Sequence, residues 1–558
     1  MKRVLFIAAL ALLSARAAGA TVHVDDASFY LRLARSLESF GAVFREVNTT
    51  FVDEVDPEDL VEVGIDAMLR HLDPYSTYMK LDETEDLDML STGSYVGFGI
   101  SVGRRDSILT VIDVRQSGPA MNAGIRIGDR LIAIDAIRTD TLLPQGLRPI
   151  SRGVAGSTAT LFILRGDRPD TLTFLVARAD LPVETVGHVE LLPGDIGYVR
   201  LARFARGTGL ALRKVLRGLQ DQTDLKGFIL DLRDNPGGLL DAAVDVVELF
   251  VPRSSVIVTT RGRGGEDRHS YVSNEDPIEP TLPLAVLINE HSASTSEIVA
   301  GAIQDLDRGI IIGKRSFGKG LVQTVVPLPN DASLKLTTSR YYTPSGRSIQ
   351  KIDYRTNRPM MTEAGAAISG VASVRNTYKT INGRSVAELR GIDPDSTVTD
   401  SILPATLAYL DQQNVFGQFA TNYTAGLDSL PPSFTADKGL IERFVQFVDT
   451  LPVQKRSPFL ADLAAARKRA LTNGWTAASL KGLEQAERSL EKEISRTIRQ
   501  KQTLVFERLE QEIRARFGTD EIRQSRALRS DPMVHTAKII LISPKYHLIL
   551  ASQVPSDQ

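Results

Sequence analysis

Strand-like and helix-like segments alternate from about residue 195 to residue 350, and this alternation constrains the fold more than any other feature of the chain. The apolar runs IGYVRL, GFILDLR, PLAVLIN and GIIIG have the length of buried strands, and segments with helical spacing of apolar residues lie between them. Such alternation is typical of a sheet covered by helices. We therefore predict an α/β core over residues 181–360, completed by strands in residues 361–410.

The segments on both sides of this core have different patterns. Apolar residues recur at helical spacing in residues 21–90 and again in residues 411–558, where one long amphipathic helix is predicted from Leu480 to Phe517 with Gly518 at its end. Residues 94–180 contain short apolar runs separated by glycine turns, which is typical of strands. Because 558 residues exceed what one hydrophobic core supports, we expect a multidomain α/β protein with helical terminal regions.

The first 20 residues have the pattern of a secretory signal peptide. Lys2 and Arg3 precede the apolar run VLFIAALALL, and small residues follow up to Ala20. A membrane anchor is the alternative, but this run is too short to cross a bilayer, so we predict cleavage after Ala20. Since no second apolar span follows, we expect the mature protein to be soluble outside the cytoplasm.

The composition excludes several kinds of site. The chain has no cysteine, which rules out disulfides, a thiol nucleophile and thiolate metal ligands. Its 66 basic and 68 acidic residues give a net charge of −2, so no nucleic-acid partner is predicted. We predict neither a metal nor a cofactor.

The stretch GKRSFGKG matches the first part of a phosphate-binding loop at Gly313, Gly318 and Lys319. The match fails at Gly320, where such a loop needs Ser or Thr to hold magnesium. The segment LVQTVVPLP that follows is β-branched and ends in proline, whereas a phosphate loop opens a helix. We therefore do not expect a nucleotide site, and Lys319 needs another role.

The stretch INEHSASTSEIVAGAIQD allows two interpretations of Ser294. Because Glu297 follows three residues later, Ser294 fits the start of a helical capping box, but a serine at a strand-to-helix turn is also where a nucleophile can be exposed. His291 is too close in sequence and has no clear Asp partner, so we interpret it as a surface residue. Lys319 lies among apolar residues and glycines and would be a competent base if burial favoured its neutral form, although a surface charge is the ordinary interpretation.

Three stretches together, LDLRDNPGGLL, SASTSEIVAGAIQD and SFGKGLVQT, resemble the carboxyl-terminal processing proteases, also called tail-specific proteases. The resemblance extends to LDPYSTYM, YYTPSGRSIQ and GIDPD. It implies a crotonase-like protease core in which Ser294 is the nucleophile and Lys319 is the general base. It also implies that Gln323 orients Lys319, as a third group should.

The DNPGG stretch supplies candidates for stabilising the oxyanion of an acyl-transfer reaction. Gly237 or Gly238 at a strand end can present one backbone N–H, and Thr295 can present another. An ordinary glycine turn is the alternative. The stretch superficially resembles the nucleophile segment of trypsin-like proteases, but Pro236 stands where the serine would be. Thr295 stands where many members of the tail-specific family have Ala.

Residues 94–180 resemble a PDZ domain, a β-sandwich or barrel module inserted before the core. The match to the Gly-aromatic-Gly-apolar binding loop consists of Gly97, Phe98, Gly99 and Ile100. Such a loop binds a chain-terminal carboxylate with backbone N–H groups, while the adjacent strand edge pairs with the peptide. The groove-lining helix should fall near Leu142 to Ser151, where Pro144 and Pro149 are expected to shorten it.

The resemblance implies an exported, periplasmic serine endopeptidase that captures proteins by their apolar C-terminal tails. The alternative is a PDZ scaffold of the cell envelope that is non-catalytic, or that rests inactive until a partner binds. Whether an adaptor or activating protein takes part, and whether the terminal helices form a homo-oligomer, stays open at this point.

Overall fold

The computed structural model describes residues 26–80, 88–105, 108–166, 170–265, 268–330, 332–352, 354, 377–388, 391–398, 404–427, 429–431, 434–517, 525, 528 and 531–551. Two predicted features, the signal peptide at residues 1–20 and the helix end at Gly518, lie outside these ranges. The chain divides into two compact units at residues 78 and 79.

Among its described residues, the first unit contains two helices, α1 (Asp26–Thr50) and α2 (Pro57–Leu72). Asp56 caps α2 by accepting a hydrogen bond from the Glu58 N–H at 2.8 Å, and Pro57 stands at the first helical position, where its missing N–H has no cost. Strand β1 (Thr77–Met79) spans the boundary between the units.

The second unit begins with a small β domain. Its elements are β2 (Ser94–Gly97), β3 (Ile100–Arg105), β4 (Ile108–Val114), α3 (Pro119–Ala123), β5 (Arg130–Ile134), β6 (Ile137–Arg138), a 3₁₀ turn (Pro144–Leu147), α4 (Arg148–Ser151), β7 (Thr158–Leu164), β8 (Leu172–Ala177) and β9 (Ala179–Pro182). The sheet order is β3-β4-β5-β7-β8, so β3 lies at one edge among the described strands. The segment expected to line the groove forms only one 3₁₀ turn and one helical turn, as short as its two prolines predict.

The α/β core contains two sheets. The first has the order β10-β11-β12-β15-β16-β21, antiparallel between β10 and β11 and parallel elsewhere. Its members are β10 (Val186–Leu192), β11 (Ile196–Leu201), β12 (Gly227–Asp231), β15 (Leu284–Ile288), β16 (Ile310–Gly313) and β21 (Ser396–Thr397). In the second sheet β18 pairs antiparallel with β17 and β13, and β13 pairs with β14. These strands are β13 (Val256–Arg261), β14 (Arg268–Val272), β17 (Leu321–Pro327) and β18 (Ser333–Tyr342).

Helices bury both faces of the parallel sheet. One face packs against α5 (Thr208–Gln220), α6 (Leu240–Val247) and α7 (Thr295–Asp305). The other face packs against α15 (Pro532–Leu541) and α16 (Lys545–Leu550). Met533, Val534 and Leu541 of α15 belong to the same apolar cluster as the strands. This explains why β12 and β15 are buried along their whole length and have continuous rather than alternating apolar sequences.

The remaining elements are a hairpin and a helical domain. The hairpin consists of β19 (Thr377–Lys379) and β20 (Ser385–Ala387). The helical domain contains α8 (Ala405–Gln412), α9 (Val415–Thr424), α10 (Lys438–Thr450), α11 (Val453–Arg456), α12 (Pro458–Thr472), α13 (Ala477–Gln500) and α14 (Gln502–Ala515). Two predicted boundaries differ from this arrangement: residue 410 falls inside α8, and residues 532–550 pack on the parallel sheet. None of the described helices has both the length and the apolar character required to span a bilayer.

The prediction of one long helix from Leu480 to Phe517 was wrong. The structure has two helices, α13 and α14, which meet at Lys501. Ile498 on α13 and Val505 on α14 are both fully buried in the same apolar cluster. Lys501 has φ −99° and ψ 33°, which are not helical values, so the two helices are separate.

Candidate active site

A cavity of about 730 Å³ lies beyond the carboxyl ends of strands β12 and β15, where loops meet β17. The carboxyl edge of parallel strands is the usual place for a ligand site in such sheets. The predicted site residues that line this cavity are Gly237, Gly238, Ser294, Thr295, Lys319 and Gln323. They come from three separate stretches of sequence, and the fold brings all six together.

Ser294 occupies the turn between β15 and α7 in a rare backbone conformation. Its φ is 56° and its ψ is −114°, a region that costs a non-glycine residue about 1–3 kcal/mol. Its backbone N–H donates to Glu297 Oε2 at 2.8 Å, which is the glutamate half of a capping box. Ser294 therefore combines the two positions considered for it: it precedes the helix, and it faces the cavity.

The two glycines of the DNPGG stretch make very close backbone contacts. A Cβ on Gly237 would lie 2.9 Å from both the Ala293 oxygen and the Thr295 nitrogen, and one on Gly238 would lie 1.9 Å from the Phe204 oxygen. Both glycines also have positive φ, at 100° and 155°. Only glycine fits either position.

Both glycine N–H groups are already engaged with side chains. The Gly237 N–H donates to Asn235 Oδ1 at 2.9 Å, and the Gly238 N–H donates to Thr295 Oγ1 at 3.1 Å. The Thr295 hydroxyl in turn donates to the Gly238 oxygen at 2.9 Å. A substrate oxygen would have to replace one of these side-chain acceptors in order to use either N–H.

Lys319 belongs to a tightly packed loop between β16 and β17. A Cβ on Gly318 would lie 2.6 Å from the Lys351 Cβ, and the Gly320 N–H donates to Gln350 Oε1 at 2.7 Å. The segment after Gly320 is strand β17 rather than a helix, so the geometry of a phosphate-binding loop is absent there. These glycines serve the packing of the loop, which places Lys319 at the cavity.

Gln323 lies on β17 and also lines the cavity. Its Nε2 donates to Thr337 Oγ1 on the neighbouring strand β18 at 3.2 Å. Its role in orienting Lys319 stays a prediction. His291 is exposed on the loop before Ser294, and its backbone N–H donates to Asn289 Oδ1 at 3.2 Å.

Sequence reasoning missed Glu297 as anything other than a capping residue. Its side chain is fully buried and accepts hydrogen bonds from the Ser316 hydroxyl at 2.5 Å and from the backbone N–H groups of Gly318 and Lys319 at 2.7 Å and 2.9 Å, besides that of Ser294. Burial raises its pKa to about 7, against the opposing effect of these donors. The available signal was a glutamate in the first turn of a helix whose following residues, from Ile298 to Ile303, are all small or apolar.

The predicted peptide-binding loop is held from inside its domain. Phe98 is buried and lies under the guanidinium of Arg178, 4.8 Å from the ring centroid. The Phe98 and Gly99 oxygens accept hydrogen bonds from the N–H groups of Ala120 and Arg115 at 3.0 Å and 2.9 Å. With both oxygens bonded, the loop is fixed beside the edge strand β3.

Within the described ranges, no group of three or more His, Asp or Glu side chains is placed to hold a metal ion.

Four family models match the chain. Residues 195–359 match peptidase family S41 and residues 96–176 match a PDZ domain. Residues 14–84 match the N-terminal domain of activating protease CtpB, and residues 406–541 match the C-terminal helical domain of a probable PDZ-protease. The peptidase match contains the six predicted site residues that line the cavity, and the PDZ match contains the predicted loop.

Known proteins show the same similarity. The chain is 40% identical over 331 residues to the carboxy-terminal-processing protease of Bartonella bacilliformis, which covers 59% of this chain and 75% of that protein. It is 30% identical over 323 residues to the carboxy-terminal processing protease CtpB of Bacillus subtilis, covering 57% and 66%. Among solved structures, the photosystem II D1 C-terminal processing protease is 27% identical, with a TM-score of 0.37 and coverage of 66% of this chain and 94% of that one.

Proposed function

The chain belongs to the carboxy-terminal-processing protease family of serine-type peptidases, and we propose that it is an exported endopeptidase. It captures proteins by their apolar C-terminal tails and cleaves them with a Ser–Lys dyad. The observation that carries the proposal is the convergence of Ser294, Lys319 and Gln323 on one cavity.

The proposed reaction has two halves. Ser294 Oγ attacks the scissile carbonyl carbon while neutral Lys319 takes the hydroxyl proton, and Lys319 then gives this proton to the leaving amine. In the second half a water molecule loses a proton to Lys319 and attacks the acyl group, and the proton returns to Ser294 as the new carboxyl end departs. Gln323, held by Thr337, is proposed to orient the Lys319 amine.

The oxyanion of each half-reaction needs preorganised donors. We propose the N–H of Thr295, at the positive end of α7, together with the N–H of Gly237 or Gly238. For Gly238 the substrate oxygen would replace Thr295 Oγ1, which now accepts that N–H at 3.1 Å.

The engaged glycine N–H groups favour one second candidate, a resting state that a ligand or activating partner converts into the active enzyme. Asn235 and Thr295 already occupy the two donors, so a substrate meets a site without a free glycine donor. A partner that shifts either side chain would raise the rate. An adaptor protein, or a homo-oligomer formed through the terminal helices, belongs to this candidate.

Tail capture is assigned to the PDZ loop and strand β3. The loop residues Gly97 to Ile100 would bind the terminal carboxylate through backbone N–H groups, while β3, at the sheet edge, would pair with the peptide. The half-buried side chains of Ile100, Val102 and Ile150 and the buried Leu147 pack in the same apolar cluster beside β3, and they support a preference for apolar tails.

Export to the periplasm is proposed on the N-terminal pattern of two basic residues, an apolar run and small residues ending at Ala20. The mass of the mature protein purified from the producing cell should correspond to a chain that begins at Thr21. A chain that retains Met1 would contradict cleavage.

The test of the proposed function uses an unstructured protein that ends in an apolar residue with a free carboxylate. Residues 21–558 should cleave it, Ser294→Ala and Lys319→Ala should not, and amidation of the substrate tail should slow the reaction. If wild type is as inactive as both variants while it still binds the tail, the resting-state candidate is favoured. Equal cleavage by wild type and Ser294→Ala would contradict the mechanism.

A further inference from the structure

We infer that two buried side chains, Glu297 and Tyr341, are positioning residues that hold Ser294 and Lys319 in register with each other by bonding to the backbone of both. The inference rests on the proposed function, because it assigns these residues to the alignment of the proposed nucleophile and base. Ser294 and Lys319 belong to different segments, one before α7 and one before β17, so something must fix one segment against the other.

Glu297 bonds to the N–H groups of both residues. A single oxygen, Oε2, accepts the Ser294 N–H at 2.8 Å and the Lys319 N–H at 2.9 Å. The other oxygen, Oε1, accepts the Gly318 N–H at 2.7 Å and the Ser316 hydroxyl at 2.5 Å. The carboxylate therefore ties the start of α7 to Ser316, Gly318 and Lys319 in the loop between β16 and β17.

Tyr341 bonds to the carbonyl side of the same two residues. Its hydroxyl lies 2.9 Å from the Ser294 oxygen and also contacts the Lys319 oxygen. One hydroxyl proton is shared between the two acceptors, so the bond is bifurcated or alternates between them. The ring is 1% exposed, and the Tyr341 N–H donates to the Gly320 oxygen at 3.0 Å, which fixes the tyrosine to the loop it supports.

Each member of the proposed dyad is thus held at its N–H by one side chain and at its carbonyl by the other. This matters because a displacement of about 1 Å between reacting groups can lower a rate about 100-fold. The arrangement also requires a carboxylate at position 297. An amide has one acceptor oxygen and would turn its NH₂ toward backbone donors, so Glu297→Gln cannot satisfy both pairs.

The experiment compares Tyr341→Phe and Glu297→Gln with controls that lose a buried hydroxyl or carboxylate elsewhere in the core. Tyr198→Phe removes a hydroxyl that donates to Asp231 at 2.7 Å, and Asp395→Asn alters a carboxylate that accepts the Ile311 N–H at 2.7 Å. We would measure kcat, KM, tail affinity and the melting temperature of the full mature chain. The substrate is the unstructured protein with the free apolar tail.

We expect kcat to fall about 10-fold in Tyr341→Phe and about 100-fold in Glu297→Gln, with KM and tail affinity within about twofold of wild type. The controls should lose thermal stability but keep kcat. The inference is overturned if kcat is unchanged in both test variants, or if the controls lose as much kcat at an equal loss of melting temperature.

A second readout separates failure of this inference from failure of the proposed function. A biotinylated fluorophosphonate reacts without a tail: Ser294 Oγ bonds to phosphorus, fluoride leaves with the P–F electron pair, and the hydroxyl proton passes to Lys319. If wild type labels at Ser294 but does not cleave the tailed protein, the substrate proposal fails, and slower labelling of Tyr341→Phe and Glu297→Gln still supports the positioning role. Labelling at wild-type rate in both variants overturns the positioning role, whereas no labelling of wild type overturns the proposed nucleophile on which that role rests.

Discussion

Removal of the Thr295 hydroxyl is expected to make the enzyme faster. In the structure Thr295 Oγ1 accepts the Gly238 N–H at 3.1 Å and donates to the Gly238 oxygen at 2.9 Å. If the Gly238 N–H stabilises the oxyanion, its hydrogen bond to Thr295 Oγ1 must be broken in every turnover. Thr295→Val keeps the branched shape at the start of α7 and puts a methyl group in place of the hydroxyl, so that position no longer accepts a bond from the Gly238 N–H.

The size of the effect follows from the bond that no longer has to be broken. A hydrogen bond of this kind contributes about 0.5–1.5 kcal/mol net, and the same amount removed from the activation free energy raises kcat about 2- to 12-fold. Thr295→Ser keeps the hydroxyl and loses only the methyl group, so it is the matched control. Its kcat should stay within about twofold of wild type.

The assay is steady-state cleavage of the tailed substrate by the three proteins, with melting temperatures measured alongside. An unchanged or lower kcat in Thr295→Val, at an unchanged melting temperature, would refute the claim that this hydrogen bond slows turnover. It would mean that the Gly238 N–H is not an oxyanion donor and that its bond to Thr295 is only structural.

Three further predictions concern stability. Gly238→Ala should lower the unfolding free energy measured in urea titrations by about 2–5 kcal/mol, because the new Cβ would lie 1.9 Å from a main-chain oxygen. Gly207 also has a positive φ but has open space around it, so Gly207→Ala should cost only about 1–2 kcal/mol. Equal costs in the two variants would contradict this prediction. Burial raises the pKa of Glu297 from 4.5 to about 7. The stability linked to this shift is present below pH 4.5 and is lost as pH rises through 7, so the unfolding free energy of wild type should fall by up to about 3 kcal/mol over this window, whereas that of Glu297→Gln should not. Parallel pH profiles of the two proteins would refute this prediction. Arg347→Met should lower the unfolding free energy by about 3–5 kcal/mol, because it leaves the buried Asp305 carboxylate, 2.8 Å from Arg347, without its cation. A loss below about 1 kcal/mol would mean that this ion pair is not a main contribution to stability.

The parts of the fold that depend on local pattern could be predicted from the sequence. Continuous apolar runs such as those of β12 and β15 indicated strands buried on both faces, and the alternation with helices indicated the layered core. Pro144 and Pro149 indicated a shortened helix. Each of these signals acts within a few residues along the chain.

The parts that depend on contacts between distant segments could not be predicted. The break between α13 and α14 at Lys501 is marked by no glycine or proline, and both helices contribute to one core. The packing of α15 on the parallel sheet likewise has no local signal. In the site, Tyr341 is remote in sequence from Ser294, and its role is visible only where its hydroxyl meets the Ser294 and Lys319 oxygens.

The most direct test of the central claim is to identify the residue that carries the acyl group during turnover. Wild type would be quenched in acid while it cleaves the tailed substrate, and the modified peptide would be located by mass spectrometry after digestion. The Ser294–Lys319 mechanism predicts that the N-terminal fragment of the substrate is attached to Ser294, and that the adduct is absent in Ser294→Ala. Turnover with no acyl adduct, or with an adduct on another residue, would contradict the Ser294–Lys319 mechanism.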